Sequence, residues 1–234
     1  MAEARGLDGA ERPRLSREVI IRAGLELGSR HDTAAVSVRN IGAALGVDPT
    51  AIYRYFPSKQ ALMEALLDDV LVRVIERIDL SADWRQRLTS LAVGTLEAFV
   101  AVPSIALEAT VLTTNGPGET DTIECILGAF AEAGLAGESL VQHYAFYASY
   151  VLSEAAGIAR GRGDHADPDA ETSAGASSSS NSSPWFEGPL LVDPTKQPHL
   201  ASVAGELGAL QDHDIFRFGV DAIIASAERA AAAG

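Results

Sequence analysis

The sequence predicts an all-α protein. Apolar residues recur at helical spacing, and Ile20, Ala23, Gly24 and Leu27 follow the i, i+3, i+4, i+7 rule of a helix with one buried face. Alternating β-branched runs and hairpin turn signals are scarce after position 83. Hydrophobic residues make up 47% of the 234 residues and charged residues 21%, which is the usual mix of a chain with an apolar core. Helices packed around a core are therefore expected.

The first helix is predicted to begin near position 15. Residues 1–14 are rich in Gly, Pro and charged side chains without periodicity, so we expect a flexible arm there. Ser16 is a good N-cap, and Leu15 before it can pack against Ile20 as a hydrophobic staple. Gly28 is expected to end this helix.

Two short helices are predicted next. Ser37 is the N-cap candidate of the first, which should end at Gly46 because glycine readily takes the left-handed conformation after a helix. Asp48 is the N-cap candidate of the second, and Pro49 fits its first position, where the missing N–H costs nothing. Pro57 is expected to end it. Two short helices joined by a tight turn predict a helix-turn-helix, although an ordinary packing of three small helices gives the same pattern.

The remainder is predicted to be mostly helical. Ser58 is the N-cap candidate of a long helix that reaches about Ile78. Further helical patterns span 83–101, 103–113, 118–133, 137–160 and 212–231, and a short helix can form at about 199–209. The pattern fails between 161 and 198, where an acidic stretch, a serine-rich stretch and four prolines follow one another. So long a loop is uncommon inside a compact domain, and we expect a disordered surface insertion at about 164–184.

Cysteine content and hydropathy indicate in which cellular compartment the protein is expected. Cys125 is the only cysteine, which excludes an intramolecular disulfide framework and a metal site built from several cysteines. The N-terminus lacks the apolar segment of a signal peptide, and no run of about 18 uncharged apolar residues occurs. We therefore expect a soluble cytoplasmic protein with no membrane partner.

Charge is unevenly distributed along the chain. The net charge of −14 disfavours nucleic acid as a partner of the whole surface, because duplex affinity rests mainly on Lys and Arg. Residues 1–60, however, carry nine basic and seven acidic residues, a net charge of +2, so the remainder carries −16. This asymmetry indicates an acidic partner for the N-terminal part, and a solvated surface explains it equally well.

The most specific motif is VSVRNIGAALGVDPTAIYRYFPSK at positions 36–59. Its Leu-Gly-Val turn, its Ile-Tyr-x-x-Phe helix and the following Ser-Lys together resemble the DNA-binding head of the TetR family of bacterial transcriptional regulators. The likeness covers residues 15–67, with Gly42 where such heads usually have alanine. It implies a helix-turn-helix DNA-binding domain at 15–60, called the head below. It also implies a helical ligand-binding and dimerisation domain at 61–234, called the body.

Several head residues are candidates for DNA contacts. A recognition helix offers its N-terminal residues to base edges, and Arg can reach either guanine or a phosphate. Tyr and Lys side chains can hold phosphates, and a lysine at a helix N-terminus adds to the partial positive charge there. The candidates for base edges are Pro49, Thr50, Arg54 and Tyr55, those for phosphates are Tyr53 and Lys59, and Ser37 and Arg39 complete the set. A solvated surface side chain is the alternative for Arg39. Ile52 and Phe56 should face the core.

The body offers weaker signals. Aromatic residues at helical spacing, such as Phe146 and Tyr150, usually belong to a core. The resemblance implies that some of the aromatic side chains line a ligand cavity, for which the candidates are Phe99, Phe130, His143 and Tyr147. The alternative for His143 is a hydrogen-bonded core histidine.

The last predicted helix carries Ile215, Phe218, Ala222 and Ala225 along one face. Together with the helix at 137–160 it can form a four-helix dimer interface, which is the usual arrangement in the family that the head resembles. Packing within one chain is the alternative.

No enzymatic motif or cofactor site is recognisable. The chain has no Gly-rich phosphate loop, HExxH or GxSxG. Asp212, His213 and Asp214 lack a helical set of metal ligands, and an N-cap role is the better interpretation of either aspartate. We therefore expect a homodimeric repressor, not an enzyme, that a small-molecule ligand releases from a palindromic double-stranded DNA operator. The alternatives are a ligand-independent DNA-binding regulator and a helical interaction module or enzyme that does not bind DNA.

Overall fold

The computed structural model describes residues 14–30, 36–164, 184–185 and 190–233. The helices, in chain order, are α1 (Arg17–Gly28), α2 (Val38–Leu45), α3 (Pro49–Ile52), α4 (Lys59–Ile75), α5 (Trp84–Ala101), α6 (Pro103–Ala106), α7 (Pro117–Glu132), α8 (Gly137–Asp164), α9 (Pro198–Ala209) and α10 (Asp212–Ala233), with a 3₁₀ turn at Leu107–Thr110. Within these described ranges there is no strand, and one isolated bridge joins Pro184 to Gln211. The predicted all-α class is confirmed. Residues 1–13 of the predicted arm and 165–183 of the predicted insertion lie outside the described residues.

The helix starts of the head follow from their N-cap side chains. The hydroxyls of Ser16, Ser37 and Ser58 and the carboxylate of Asp48 each accept a hydrogen bond from a backbone N–H of the first turn. Gly46 follows α2 with a φ of 66° and a ψ of 33°, the left-handed conformation that glycine adopts at little cost. All four predicted caps and the glycine turn are confirmed.

Several helix boundaries differ from the prediction, and α8 continues to Asp164 instead of ending near position 160. α3 ends at Ile52 instead of near Pro57, because the Tyr55 N–H already bonds three residues back to the Ile52 carbonyl. α4 ends at Ile75 for a similar reason, since the Ile78 N–H bonds to the Ile75 carbonyl. The predicted helix at 103–113 is divided into α6 and a 3₁₀ turn, whose poorer hydrogen bonds rarely continue for long. Asp212 and Asp214 lie inside the first turn of α10 and not at its N-cap.

α4 connects the head to the body. Leu66, on the first half of α4, packs against Gly24 of α1, and Val72, on the second half, packs against Gly118 of α7. The core is continuous along this helix, since Leu62 and Leu66 are fully buried and Leu71 is 7% exposed. A movement of α4 relative to α7 would therefore also displace the contact that α4 makes with α1 in the head.

The described helices also answer the question of membrane spans. No single helix in the described ranges is long and apolar enough to cross a membrane. α5 together with residues 103–110 meets the length and composition requirement only across a bend of 114°.

Candidate DNA interface and body cavity

The recognition segment is anchored from behind by apolar side chains. Ile52 is fully buried and Phe56 is 1% exposed, as predicted. Gly42 of α2 lies where a Cβ atom would come within 3.1 Å of the Val47 carbonyl oxygen and 3.4 Å of the Pro49 Cα. The glycine therefore allows α2 and α3 to approach more closely than alanine would.

Asp48 and Thr50 form a hydrogen-bonded N-cap at the start of α3. The Thr50 hydroxyl donates to Asp48 Oδ1 at 2.6 Å, and the Thr50 backbone N–H donates to the same oxygen at 2.8 Å. These two bonds lower the pKa of the Asp48 carboxyl below its usual value, the hydroxyl contributing most. Because its hydroxyl proton is used by Asp48, Thr50 retains its methyl group and hydroxyl lone pairs for a base edge.

Tyr55 joins the recognition segment to the start of α1 through hydrogen bonds. Its hydroxyl donates to the Leu15 carbonyl at 2.6 Å, and its own carbonyl accepts from Arg17 Nη1 at 2.8 Å. The Arg17 guanidinium also lies 4.3 Å from the centre of the Phe56 ring. These contacts bind the start of α1 to the end of the recognition segment, so we remove Tyr55 from the candidates for base contacts.

The other candidates lie on the surface of the head. Arg39, Thr50, Arg54 and Lys59 are exposed, and Tyr53 is 49% exposed. The half-buried Ser37 is committed to capping α2, where its hydroxyl accepts from the Asn40 N–H at 3.1 Å, and the half-buried Pro49 is the first residue of α3. Arg39 lies in the first turn of α2, and Lys59 begins α4 directly after its N-cap. Three cationic side chains, Arg39, Arg54 and Lys59, are therefore exposed on or directly after the helix-turn-helix.

The body encloses a cavity of about 80 Å³ between α4, α5, α7, α8 and the segment after α6. Its wall is formed mainly by aliphatic side chains, among them Leu67 and Leu71 of α4. The described polar side chains on the wall are Thr95, Thr114, Glu119, Thr122, Tyr144 and Tyr147. Because α4 supplies part of the wall, the cavity lies beside the helix that leads to the head.

Of the four predicted pocket residues, only Tyr147 lines this cavity. Its hydroxyl donates to the Leu88 carbonyl at 2.5 Å, and burial raises the pKa of the phenol well above its usual value. Phe99 and Phe130 are fully buried in the core instead. His143 faces Phe130 and α10, with Nδ1 2.7 Å from the Ser139 carbonyl and Nε2 3.3 Å from Ser226 Oγ. Phe99, Phe130 and His143 do not line this cavity, because periodicity identifies a buried helix face but does not distinguish a face packed in the core from one beside a cavity.

Sequence reasoning missed the polar end of the cavity. Thr114 lies in a non-helical segment that carries no periodic signal, and Glu119 belongs to the first turn of α7. Glu119 Oε2 accepts from the Asn115 backbone N–H at 2.6 Å and lies 3.2 Å from the Thr114 hydroxyl oxygen. The only available signal was an acidic residue just after Pro117, which is typical of a helix start.

Asp68 of α4 caps the N-terminus of α7. The N-cap position of α7 is Gly116, which has no side chain to offer, and Asp68 Oδ1 accepts from the Glu119 N–H at 3.0 Å and from the Thr114 hydroxyl at 2.9 Å. The Asp68 carboxylate occupies the space above Gly116 that a Cβ atom would fill. The cap is thus shared between two helices and ties α4 to the mouth of the cavity.

Replacing Asp68 with alanine is expected to lower the free energy of unfolding by about 1–2 kcal/mol, the usual value of a lost N-cap. Asp69→Ala is the matched control, because Asp69 forms a surface i, i+4 ion pair with Arg73 that is worth a few tenths of a kcal/mol. Urea unfolding followed by circular dichroism compares the two. Equal losses in both variants would show that Asp68 does not cap α7.

α8 and α10 carry exposed apolar side chains. Val141 and Phe146 of α8 are 59% and 60% exposed, and Phe218 of α10 is 75% exposed. Phe146 was expected in the core, and this expectation was wrong. The two helices are held together by Tyr150, which stacks on Phe216 and donates to the Ile215 carbonyl at 3.0 Å. Phenyl groups left outside a core are typical of a protein interface.

Comparison with known protein families gives a match for both the N-terminal and the C-terminal part of the chain. Residues 20–66 match the family described as bacterial regulatory proteins, tetR family, and residues 79–229 match the tetracyclin repressor-like C-terminal domain. The HTH-type transcriptional repressor DrrR1 of Streptomyces coeruleorubidus is 26% identical over 145 residues, which make up 62% of this chain and 54% of that repressor. The chain therefore aligns with about half the length of this relative.

Solved structures agree over almost the whole chain. The crystal structure of a transcriptional regulator from Streptomyces coelicolor has a TM-score of 0.71 and 27% identity, with 93% of this chain and 99% of that chain covered. The TetR family protein ActR from Streptomyces coelicolor, in complex with actinorhodin, has a TM-score of 0.70 and 18% identity, with 93% and 99% covered. At that identity the second likeness concerns the fold alone.

Proposed function

The chain belongs to the TetR family of bacterial regulatory proteins, and on this premise we propose that it is a transcriptional repressor that leaves its operator when a small molecule enters the body cavity. We divide it into the head at 15–60 and the body from 61 onward. Its relatives are regulators and not enzymes, and we assign it no catalytic role. A protein that reads chromosomal DNA works in the cytoplasm.

The observation that carries the proposal is the helix-turn-helix of α2 and α3 with cations on its exposed side. Arg39, Arg54 and Lys59 are exposed there, while Ile52 and Phe56 hold the segment in place. Phosphate contacts fix the position of such a head, and residues at the start of α3 read base edges in the major groove. We assign phosphates to Tyr53 and Lys59, and base edges to Arg39, Pro49, Thr50 and Arg54.

The exposed phenyl groups of α8 and α10 support a homodimer. Two copies that bury Phe146 and Phe218 against each other form a four-helix interface with twofold symmetry. Such a dimer reads a palindromic operator when its recognition helices are about 34–36 Å apart. The acidic body, with a net charge of −16 beyond residue 60, is repelled by phosphates and orients the head toward DNA.

The size of the cavity supports a ligand-driven change of shape. Its volume of about 80 Å³ is smaller than that of an apolar cavity of roughly 150 Å³ that binds benzene. A larger ligand must displace the wall, which includes Leu67 and Leu71 of α4. A nearly complete switch requires a ligand that favours one state by about 5.5 kcal/mol. That a structural relative binds actinorhodin is consistent with such a site.

A mobility shift assay at low salt tests the proposal. The probe is the DNA upstream of the gene itself, and a library of small molecules is then screened against the bound complex. We expect a discrete complex that some compounds dissolve. The absence of any shift at low salt would contradict DNA binding, and a complex that resists every compound would favour a ligand-independent regulator.

Replacing Lys59 with alanine is expected to weaken binding to all DNA sequences and to reduce the slope of log K against log salt by about one at most. The reason is that one phosphate contact, and the counterion that it releases, is lost. Lys196→Ala is the control, because this lysine is also exposed but lies in the body. If the affinity and the salt slope of Lys59→Ala equal those of the control, Lys59 does not contact a phosphate.

A further inference from the structure

The cavity wall has one polar end and one charged side chain. The described residues that line the cavity include a single charged group, Glu119. From this arrangement we propose that the ligand is an apolar compound with a protonated amine, and that Glu119 is the partner of its charge. The inference rests on the proposed function of the cavity as a ligand site.

The larger part of the wall selects an apolar ligand body. Leu67, Leu71, Leu91 and Ile126 contribute aliphatic surface. The hydroxyls of Thr95 and Tyr147 are already used, because they donate to backbone carbonyls at 2.8 Å and 2.5 Å. A polar group placed in this part of the cavity would lose its bonds to water without replacement, which costs free energy.

The polar end offers acceptors that lack partners. Glu119 Oε2 is bound by the Asn115 N–H, but Oε1 has no hydrogen bond to any described residue. One turn further along α7, Thr122 Oγ1 is buried and without a partner among the described residues. The Tyr144 hydroxyl, also on the wall, makes no hydrogen bond to the described part of the chain. An ammonium group has three donors and no acceptor, and it suits this set of oxygens.

Electrostatics at this end favours a cation over an anion. Asp68 and Glu119 both contact the Thr114 hydroxyl, whose one proton can serve only one carboxylate at a time. The ion pairs of the described residues involve neither carboxylate. Tyr144 and Glu119 both line the cavity, and burial and then the charge of Glu119 raise the pKa of the Tyr144 phenol. A positive group here relieves the repulsion, whereas a ligand carboxylate would increase it.

Calorimetry with three small probes tests the proposal. Phenethylamine, phenethyl alcohol and phenylacetate share a ring and differ in charge at neutral pH. We expect the wild type to bind the amine about tenfold more tightly than the alcohol, as a charged hydrogen bond provides, and to bind phenylacetate weakest. Glu119→Gln keeps an acceptor for Asn115 and should bind amine and alcohol equally. Glu124→Gln removes the same charge from an exposed position of α7 and should keep the preference.

A second variant keeps the proposal testable if Glu119→Gln does not fold. Thr122→Val removes the unpaired buried hydroxyl without a change of shape, and we expect it to fold normally and bind the amine about fivefold less tightly. The proposal is overturned if the alcohol or phenylacetate binds the wild type as well as the amine does, if no amine binding is measurable at millimolar concentration, or if the preference survives in Glu119→Gln. A mobility shift assay with the upstream DNA, run on the same preparations without any of the three small molecules, tests DNA binding separately. Its failure counts against the proposed function, and the failure of the amine preference alone counts against the ligand class.

Discussion

Replacing Gly118 with alanine is expected to lower the free energy of unfolding by about 3 kcal/mol, the upper end of what overpacking a core usually costs. A Cβ atom at this position would lie 2.4 Å from the Asp68 carbonyl oxygen and 2.7 Å from the Val72 backbone nitrogen. Both are backbone atoms of α4, so no side-chain rotation can remove the overlap. α4 and α7 would have to separate, and the cap that Asp68 gives to α7 would be weakened with them.

Gly128→Ala, on the same helix, is the matched control. A Cβ atom added there has no atom of another described residue within 4 Å apart from the adjacent residues and backbone of α7 itself, so alanine only improves helix propensity and should stabilise the protein by up to about 1 kcal/mol. Urea unfolding measures both variants. An unfolding free energy of Gly118→Ala at or above the wild-type value would mean that α4 and α7 do not cross at this glycine.

In the proposed mechanism, movement of the body is transmitted to the head at the same glycine. Because Gly118 has no side chain, the backbone of α7 lies directly against the backbone of α4, and a shift of α7 would be passed to α4. The cavity wall is made in part by these two helices. Glu119, the next residue after Gly118, faces the cavity, which places the proposed ligand contact beside the helix crossing.

Local sequence signals sufficed for the head and not for the cavity. The helix ends of the head are set by hydrogen bonds between residues a few positions apart, so they can be predicted from the local sequence. The residues concerned are Ser16, Ser37, Asp48, Ser58 and Gly46. The shared cap on α7 is different, because Gly116 receives its acceptor from Asp68, 48 positions earlier in the chain. Nothing in the neighbourhood of either residue indicates that contact.

A periodic pattern also cannot predict which buried side chains pack in the core and which line the cavity. Phe130 and Tyr147 both belong to buried helix faces and pack edge to face at 6.0 Å, and of the two, Tyr147 lines the cavity described above. Which side of a buried ring is vacant depends on how four helices cross. Likewise, Phe146 fits a core pattern on α8 but is left exposed, because α10 covers a neighbouring face of that helix.

Replacing Phe218 with glutamate is expected to convert a dimer into monomers and to lower operator affinity by about 100-fold or more, because a monomer holds only one half-site. Phe218 is 75% exposed in the protomer, so the change should leave the protomer fold intact. In the proposed interface, however, it removes a buried phenyl group, worth about 1.5–3 kcal/mol, from each of two subunits and places two like charges near the twofold axis. Val111→Glu is the control, since Val111 is 77% exposed and lies outside α8 and α10. Sedimentation velocity and a mobility shift assay measure both variants, and a Phe218→Glu protein that remains dimeric with normal affinity would place the interface on another surface.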